Sequence, residues 1–456
     1  GASGVWHVVD EADIRRIMRH PWTMISSDGG INVPGVGHPH PRGNGAFARL
    51  HARYVRDEPV LTLEEAVRKM TSLPAADGAD TAGSRLSPLT DARPKPAVPL
   101  AGSYRLIDVA LSNLVHSGLR DVWIVEQYRP GLLNRHLAGG RPWDLDGTRR
   151  GLRIIPPEER DDDDRDGFSE GNGHALYQQL DALTEFGADT VVVLSADHLY
   201  QLDLRPVLAQ HHERGSDLTV VTTEVAEDPS RYGVVSADGE GAVASYDYKP
   251  ADPAGNIVAT EVFVYRVAAL KRAIGELLAQ KTGADGTDLG DYGETIIPHL
   301  VEHARVHEYR MTGYWRDLGT IDAYFQAHME LIDGSGIQLN RPDWPLLSNF
   351  QVSSPARIDA GAAVTASLVC PGAHIRGTVE HSLVGPGVTV EKGATVSRCV
   401  LIGDVVVPAG ARLESVIADH GVTIPAGRTG ETKPGQGNIT VLVEGGSTDR
   451  GDALTP

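Results

Sequence analysis

The feature that most constrains this chain is a six-residue repeat between residues 355 and 427. One run of aliphatic residues spaced six positions apart, with small or turn residues between them, comprises Val384, Val390, Val396 and Ile402. This period is typical of a hexapeptide β-helix, in which each coil stacks on its neighbours. An ordinary β-sandwich is the alternative, and the length of the pattern argues against it. We therefore predict a left-handed β-helix over residues 341–445, serving as a stable platform and a subunit contact.

Residues 77–340 have a different pattern, in which short apolar runs alternate with amphipathic segments. The runs predicted to be strands buried on both faces are Val122–Val125, Thr190–Leu194 and Leu218–Thr222. Helices are predicted over residues 106–117 and 174–186. Continuous apolar strands that alternate with helices indicate an α/β domain whose mostly parallel sheet is covered by helices.

Composition excludes several classes of protein. The net charge of −19 argues against a nucleic-acid-binding surface, although a few local cations suffice for a phosphorylated substrate. No apolar run approaches the roughly 20 residues that span a bilayer, so no membrane association is expected. Cys370 and Cys399 are the only cysteines, which excludes a disulfide framework. A cytoplasmic location is the simplest prediction.

One segment combines glycine with basic residues in a way that suits a triphosphate. Gly83-Ser84-Arg85 is followed by Arg93-Pro94-Lys95-Pro96. Glycine lets backbone N–H groups approach phosphate oxygens, and Arg85 and Lys95 supply positive charge. The string continues into Ala97-Val98-Pro99-Leu100, Tyr104-Arg105-Leu106-Ile107-Asp108 and Leu111-Ser112-Asn113.

As a whole this string resembles the ADP-glucose pyrophosphorylase family, and the resemblance extends from about residue 83 to residue 443. Further matching segments are Gln127-Tyr128, Gly171-Asn172-Gly173-His174-Ala175, Ser195-Ala196-Asp197-His198-Leu199-Tyr200, Arg231-Tyr232-Gly233-Val234, Lys249-Pro250 and Tyr314-Trp315-Arg316-Asp317-Leu318-Gly319-Thr320. The resemblance implies a Rossmann-like nucleotidyltransferase domain. It also implies that ATP and glucose 1-phosphate react to give ADP-glucose and pyrophosphate for glycogen biosynthesis.

The resemblance assigns roles to individual residues. The catalytic residues would be Arg85, Asp197, Lys249 and Asp317, and Asp197 and Asp317 would hold Mg²⁺. Arg85 would stabilise the departing pyrophosphate, and Lys249 would hold the sugar phosphate. The nucleotide-binding residues would be Gly83, Ser84, Lys95, Gln127 and Gly171. The residues that bind the sugar phosphate would be Ser169, Gly233, Tyr248, Lys249 and Thr260.

The chain departs from the family pattern at several positions. The family's first strand is an apolar run, but residues 73–82 have no strand-forming run, so a central strand is expected to be absent. Tyr248 replaces a glutamate, Ser169 replaces a tyrosine, and Thr260 stands in for a nearby serine. Two alternatives therefore remain: a nucleotidyltransferase for another sugar or base, and a catalytically inactive subunit or fusion product.

The first 76 residues resemble a different family, the N-acyl-D-amino-acid deacylases. The matching segments include residues 13–24, Ser27-Asp28-Gly29, residues 37–42 and residues 68–74. Only the tail of such a barrel is present, and one aspartate cannot form its metal site, so deacylase activity is not expected. We predict four regions: this fragment (1–76), the nucleotidyltransferase domain (77–340), the β-helix (341–445) and a loose tail (446–456). By family resemblance, the chain is also predicted to form a homo-oligomer.

Overall fold

The structure is a computed structural model, and the chain divides into two compact units. It describes residues 15–16, 18–19, 49–63, 66, 84–126, 130–156, 171–280, 289–430, 438–444 and 446–449. The smaller unit comprises Gly1–Ser84 with Asp161–Arg165, and the larger comprises Arg85–Arg160 with Asp166–Pro456. Among the described residues, no helix has both the length and the apolar character needed to cross a bilayer.

The smaller unit contains a π-helix, Leu50–Asp57, with its own apolar contacts. Buried Leu50 and Tyr54 pack with Leu61 and Ala66. The backbone N–H of Ala66 donates to the Thr62 carbonyl at 3.0 Å. Most of the deacylase-like segment lies outside the described residues.

The larger unit begins with an α/β domain whose sequence alternates as predicted. Its α-helices are α1 (Leu106–His116), α2 (Pro130–Leu137), α3 (Asn172–Gln178), α4 (Leu180–Phe186), α5 (Leu204–Glu213), α6 (Val267–Gln280), α7 (Ile296–His303) and α8 (Ile321–Asp333). Its strands are β1 (Pro99–Leu100), β2 (Tyr104–Arg105), β3 (Val122–Val125), β4 (Leu152–Ile155), β5 (Thr190–Leu194), β6 (His198–Tyr200), β7 (Leu218–Glu224), β8 (Gly233–Ala237), β9 (Val243–Tyr248), β10 (Ile257–Arg266), β11 (Val306–Arg310) and β12 (Trp315–Asp317). The predicted helix over residues 174–186 is two helices, separated at Gln179.

Parallel and antiparallel pairs both occur in this domain. β3 pairs with β4, and β7 with β11, in parallel. The long strand β10 pairs antiparallel with β5, β7 and β8, and β9 completes that sheet beside β8. The α/β architecture predicted for this domain is confirmed.

β3 and β5 each have one edge that no described strand pairs with. Val192 and Leu194 of β5 pack against one apolar core, and Val191 and Val193 pack against another. Even so, all five residues of β5 stay partly exposed, contrary to the prediction that this strand is buried on both faces. An open edge leaves the strand accessible from the side, which explains the difference. The residues that precede Ser84, where the sequence lacks a strand pattern, lie outside the described residues.

The second part of the larger unit is a β-helix of short parallel strands. They are β13 (Arg357–Ile358), β14 (Ala363–Thr365), β15 (Leu368–Val369), β16 (His374–Ile375), β17 (Thr378–Glu380), β18 (Leu383–Val384), β19 (Thr389–Val390), β20 (Thr395–Ser397), β21 (Val400–Leu401), β22 (Val406–Val407), β23 (Arg412–Glu414), β24 (Val416–Ala418), β25 (Arg428–Gly430), β26 (Thr440–Val443) and β27 (Gly446–Asp449). All pair in parallel except the final hairpin of β26 and β27. Aligned aliphatic residues fill the interior, as the six-residue period predicts.

One sheet of the β-helix, β15-β18-β21-β24-β26, has apolar residues on both sides. Its inward residues include Val384 and Leu401, which pack inside the coil. Its outward residues, among them Leu383 and Val400, join the core of the α/β domain. Ile402 belongs to the six-residue repeat, but it joins that core and not the coil interior, because Leu401 occupies the inward position opposite Val384. The β-helix and the α/β domain therefore share one apolar core.

Candidate functional site

The site is built on a two-stranded ribbon formed by β6 and β12. These strands pair antiparallel, with Asp317 directly opposite His198 and Trp315 opposite Tyr200. Asp197 immediately precedes β6, and Asp317 ends β12. The register therefore brings the two predicted metal-binding carboxylates to the same end of the ribbon, although they are far apart in the sequence.

Asp197, His198 and Asp317 form what we call the carboxylate cluster. The Nε2 atom of His198 lies 3.6 Å from Oδ1 of Asp197 and 3.5 Å from Oδ1 of Asp317. One ligand atom from each of these residues lies within 4.8 Å of the others. Among the described residues, this is the group of histidine and carboxylate side chains with the spacing of a metal site. The structure thus brings Asp197 and Asp317 together, as the family resemblance implies.

Lys95 completes the charge balance of the carboxylate cluster. It lies in a 3-10 turn, Lys95–Ala97, and its ammonium group donates to the Asp197 carboxylate. The same Nζ atom is 3.9 Å from Oδ1 of Asp317. Ser195 donates a further hydrogen bond to Asp197. The predicted nucleotide-binding lysine therefore contacts the predicted metal ligands directly.

The pKa shifts follow from burial and from these contacts. Burial alone would raise the pKa of Asp197, but the charges of His198 and Lys95 and the hydrogen bonds from Lys95 and Ser195 hold it well below its usual range. Burial would also raise the pKa of Asp317, but the hydrogen bond and the charge of His198 lower it. Burial would lower the pKa of His198, but Asp197 and Asp317 raise it to about 9. At neutral pH Asp197 and Asp317 are therefore ionised and the His198 imidazole is protonated.

A bulge in β10 determines which neighbouring side chain faces the site. The pairing register of β10 shifts between Ala259 and Phe263. Thr260, predicted to bind the sugar, is instead fully buried, and its hydroxyl donates to the Val221 carbonyl at 2.9 Å. Its own carbonyl accepts a hydrogen bond from Nδ1 of His198 at 3.1 Å. The prediction for Thr260 is wrong because its side chain points into the core and only its backbone supports the cluster.

The residue after Thr260 contributes a carboxylate that the sequence reasoning missed. Glu261 has φ +58° and is partly exposed, and it accepts a hydrogen bond from the Tyr292 hydroxyl at 2.6 Å. Burial raises the pKa of Glu261, although the Tyr292 hydrogen bond and the charge of His198 oppose the rise. A glutamate within an apolar strand was the available signal.

Tyr248 and Lys249 lie where β9 ends, beside Asp291. The Tyr248 hydroxyl donates to the Asp291 carboxylate. The Lys249 ammonium contacts that hydroxyl and lies 4.3 Å from the centre of the Tyr248 ring. Lys249 is exposed, and within the described part of the chain it makes no direct contact with the carboxylate cluster. Its charged group is therefore available to a bound anion.

A chain of contacts connects Lys249 to the carboxylate cluster. The backbone N–H of Lys249 donates to the Tyr232 carbonyl at 3.0 Å. The Tyr232 ring lies 5.3 Å from that of Trp315, which in turn lies 5.3 Å from that of His198. Gly233 pairs with Tyr248, and a Cβ atom at Gly233 would come within 2.2 Å of the Tyr246 hydroxyl. These contacts place Gly233 and Tyr248 in one wall of the site.

Comparison with known proteins agrees with this geometry. Residues 80–334 match the family described as Nucleotidyl transferase, and residues 353–433 match the GlmU-like C-terminal hexapeptide family. The glucose-1-phosphate adenylyltransferase of Thermotoga neapolitana is 36% identical over 319 residues, which cover 69% of this chain and 74% of that protein. The chain belongs to the nucleotidyl transferase family. The deacylase resemblance of residues 1–76 stays a prediction, because neither family match includes those residues.

The nucleotidyltransferase's remaining predicted residues fall into two groups. Gly171 is described: it has φ +94°, and a Cβ atom there would lie 2.4 Å from the Gly290 carbonyl oxygen. Arg85 is exposed, and no described side chain pairs with it. Gly83, Gln127 and Ser169 lie outside the described residues, as does the side chain of Ser84. Their predicted roles stay predictions.

Proposed function

We propose that this nucleotidyltransferase transfers the adenylyl group of ATP to glucose 1-phosphate, releasing pyrophosphate and forming ADP-glucose. The observation that carries the proposal is the meeting of Asp197 and Asp317 beside Lys95 at one end of the β6–β12 ribbon. A relative that is named for this activity, and is 36% identical, supports the choice of substrates.

The reaction needs positioning and neutralisation more than covalent chemistry. A phosphate oxygen of glucose 1-phosphate attacks the α-phosphorus of ATP in line, while the bond to the pyrophosphate oxygen breaks. Both reactants are anions, so opposed positive charges must hold them together. Lys249 binds the phosphate of the sugar, and Lys95 and Arg85 bind the triphosphate. Arg85 suits the departing pyrophosphate because its exposed guanidinium can donate two parallel hydrogen bonds.

The donor set of the carboxylate cluster fits Mg²⁺. Mg²⁺ prefers oxygen ligands and retains several waters, so two carboxylates and the substrate phosphates suffice to hold it. Asp197 and Asp317 supply those carboxylates with side chains 20% and 13% exposed, which keeps them accessible to a phosphate. The contact of the Lys95 ammonium with Asp197 supports the binding of a cation at this position. When bound, the ion would neutralise charge that develops on the phosphates.

The residues near the predicted sugar site give weaker support for glucose 1-phosphate than the phosphate-binding residues give for a nucleotide. Tyr248 stands where the family has glutamate, and its hydroxyl is engaged by Asp291. Glu261 offers a replacement carboxylate, held by Tyr292 and close enough to raise the pKa of His198. A different sugar 1-phosphate is therefore the second candidate substrate.

A pyrophosphate-release assay tests the proposal. The chain is incubated with Mg²⁺, each nucleoside triphosphate and a panel of sugar 1-phosphates. We expect the highest turnover with ATP and glucose 1-phosphate. Asp197→Asn should reduce kcat by about a hundredfold or more, because it removes one of the two carboxylates that would hold Mg²⁺ against the reacting phosphates. Asp343→Asn is the matched control, since Asp343 pairs with Arg341 on the surface.

The two alternatives predict different outcomes. Higher turnover with another sugar phosphate or base would assign the site to another sugar-1-phosphate nucleotidyltransferase. No Mg²⁺-dependent release from a folded chain would refute catalysis and leave a non-catalytic subunit, which the open edges of β3 and β5 favour. Circular dichroism and gel filtration of the same preparation establish whether the chain is folded.

A further inference from the structure

The segment that carries Lys95 is attached to the β-helix on both sides. Residues 93–102 run from the loop before the Lys95 turn to the end of β1 and the turn that follows it. The β-helix was expected to serve as a platform and a subunit contact. Its contacts with this segment indicate a direct role in the arrangement of the site.

The first attachment is an ion pair between Arg93 and Asp419. The Nη1 and Nη2 atoms of Arg93 donate to the two carboxylate oxygens of Asp419 at 2.9 and 2.8 Å. The two side chains are only 14% and 11% exposed, so solvent screens this pair little. Paired parallel hydrogen bonds between a guanidinium and a carboxylate fix orientation as well as distance.

Asp419 is itself held firmly in the β-helix. It directly follows β24, and its backbone N–H donates to the Leu442 carbonyl at 2.9 Å. Its Oδ1 atom also accepts the backbone N–H of His420 at 2.7 Å. The carboxylate that receives Arg93 therefore has a position set by the coil.

The chain between Arg93 and Lys95 is stiff. Pro94 has φ −66° and begins the 3-10 turn, in which its carbonyl accepts the backbone N–H of Ala97 at 2.9 Å. Pro96 lies inside that turn, so two of the four residues from Arg93 to Pro96 have a fixed φ. A displacement of Arg93 is therefore passed on to Lys95.

The second attachment lies beyond β1. The Cys370 thiol of the β-helix is 3.5 Å from the Ala101 carbonyl. A Cβ atom at Gly102 would come within 2.5 Å of the Cys370 sulfur and 3.2 Å of the Gly385 Cα. Only a residue without a side chain allows the coil to approach so closely, and φ at Gly102 is +77°.

We propose that Asp419 is a positioning residue: through Arg93 it holds the Lys95 segment on the β-helix, so that the Lys95 ammonium reaches the carboxylate cluster. The effect on catalysis rests on the proposed function. The position of Lys95, however, can be measured without turnover. The β-helix thereby contributes to the nucleotide end of the site although none of its described residues belongs to the carboxylate cluster.

The test compares the reactivity of lysines in the full-length chain. Trinitrobenzenesulfonate labelling followed by peptide mass spectrometry gives a modification rate for each lysine. We expect Asp419→Asn to raise the rate at Lys95 about tenfold, because its protection depends on a precise ion pair. Lys249 and Lys271 should not change, since both lie far from Asp419 in the chain and are already exposed. Glu391→Gln, which breaks the Arg376–Glu391 pair elsewhere on the β-helix, is the matched control.

The same variants are assayed for pyrophosphate release. Asp419→Asn should lower kcat/KM for ATP by about tenfold to a hundredfold, the cost of misplacing a positioned group. Asp419→Glu, which keeps the charge, should recover part of the loss. If Asp419→Asn does not fold, Arg93→Lys replaces it, because lysine keeps the charge but loses the paired hydrogen bonds.

Unchanged Lys95 labelling in a folded Asp419→Asn or Arg93→Lys chain would overturn the positioning role. Faster Lys95 labelling together with lower kcat/KM supports it. If the wild-type chain has no turnover but Lys95 labelling rises in the variants, the positioning role holds and the proposed function fails.

Discussion

His328 should make the stability of this protein fall as the pH drops below neutral. It lies in α8 and is 1% exposed. Its Nδ1–H donates to the Tyr324 carbonyl at 2.8 Å, and its Nε2 accepts the backbone N–H of Ala101 at 3.1 Å. These partners fix a neutral tautomer. A proton on Nε2 would face the Ala101 N–H and abolish that hydrogen bond.

The magnitude follows from the pKa of His328 in the two states. Burial lowers this pKa from 6.5 to about 4, although the hydrogen bond to Tyr324 opposes the shift. Between those values the unfolded chain binds a proton that the folded chain does not, so stability increases with pH. The stabilisation is present above pH 6.5 and is lost as the pH falls towards 4. Between pH 7 and pH 5 the loss is about 2 kcal/mol.

Urea unfolding at pH 7, 6 and 5 measures this contribution. Wild type and His328→Gln are compared, because glutamine can offer an amide donor and an acceptor but does not titrate. We expect the variant to be less stable at pH 7 and to lose about 2 kcal/mol less than wild type on acidification to pH 5. His420→Gln, at an exposed position of the β-helix, controls for the removal of a histidine. Equal losses in wild type and His328→Gln would refute the argument.

Two further predictions concern β10 and β5. Thr260→Val should reduce the free energy of unfolding by about 1–3 kcal/mol, because the Val221 carbonyl loses its hydroxyl donor. KM for the sugar phosphate should not change. A large rise in KM without loss of stability would restore Thr260 to the sugar site. Backbone amides of β5 should exchange hydrogen for deuterium faster than those of β7, because β7 is paired on both edges, with β10 and β11. Equal protection of the two strands would mean that the open edge of β5 is covered.

Local patterns predicted much of the fold and the centre of the site. The strand Val122–Val125 has the predicted bounds, and the helix predicted from Leu106 ends one residue early, at His116. Both are set by apolar patterns within the segment itself. The meeting of Asp197 and Asp317 was also expected, although only from a family resemblance, since spacing in the sequence carries no information about a ribbon between distant strands.

The errors arise where the outcome depends on strand register. Within β10, the bulge between Ala259 and Phe263 turns Thr260 into the core and leaves Glu261 partly exposed. Between the pairs Ala259–Thr222 and Phe263–Val220, β10 has two more residues than β7, and periodicity does not show where such a bulge falls. His198 was missed for a related reason. Its role depends on Asp317 lying opposite it in β12, which is a long-range pairing.

The apolar outward side of one β-helix sheet raises the question of what fixes the register of the coil. In that sheet, a slip by one residue would exchange Ile417 with Ala418, and both are apolar, so polarity alone does not oppose it. The neighbouring sheet does oppose it, because inward Val396 lies between Thr395 and Ser397, and a slip would bury a hydroxyl. The second sheet therefore fixes the register of this coil. The first sheet is then free to bury both of its faces, one in the coil and one against the nucleotidyltransferase domain.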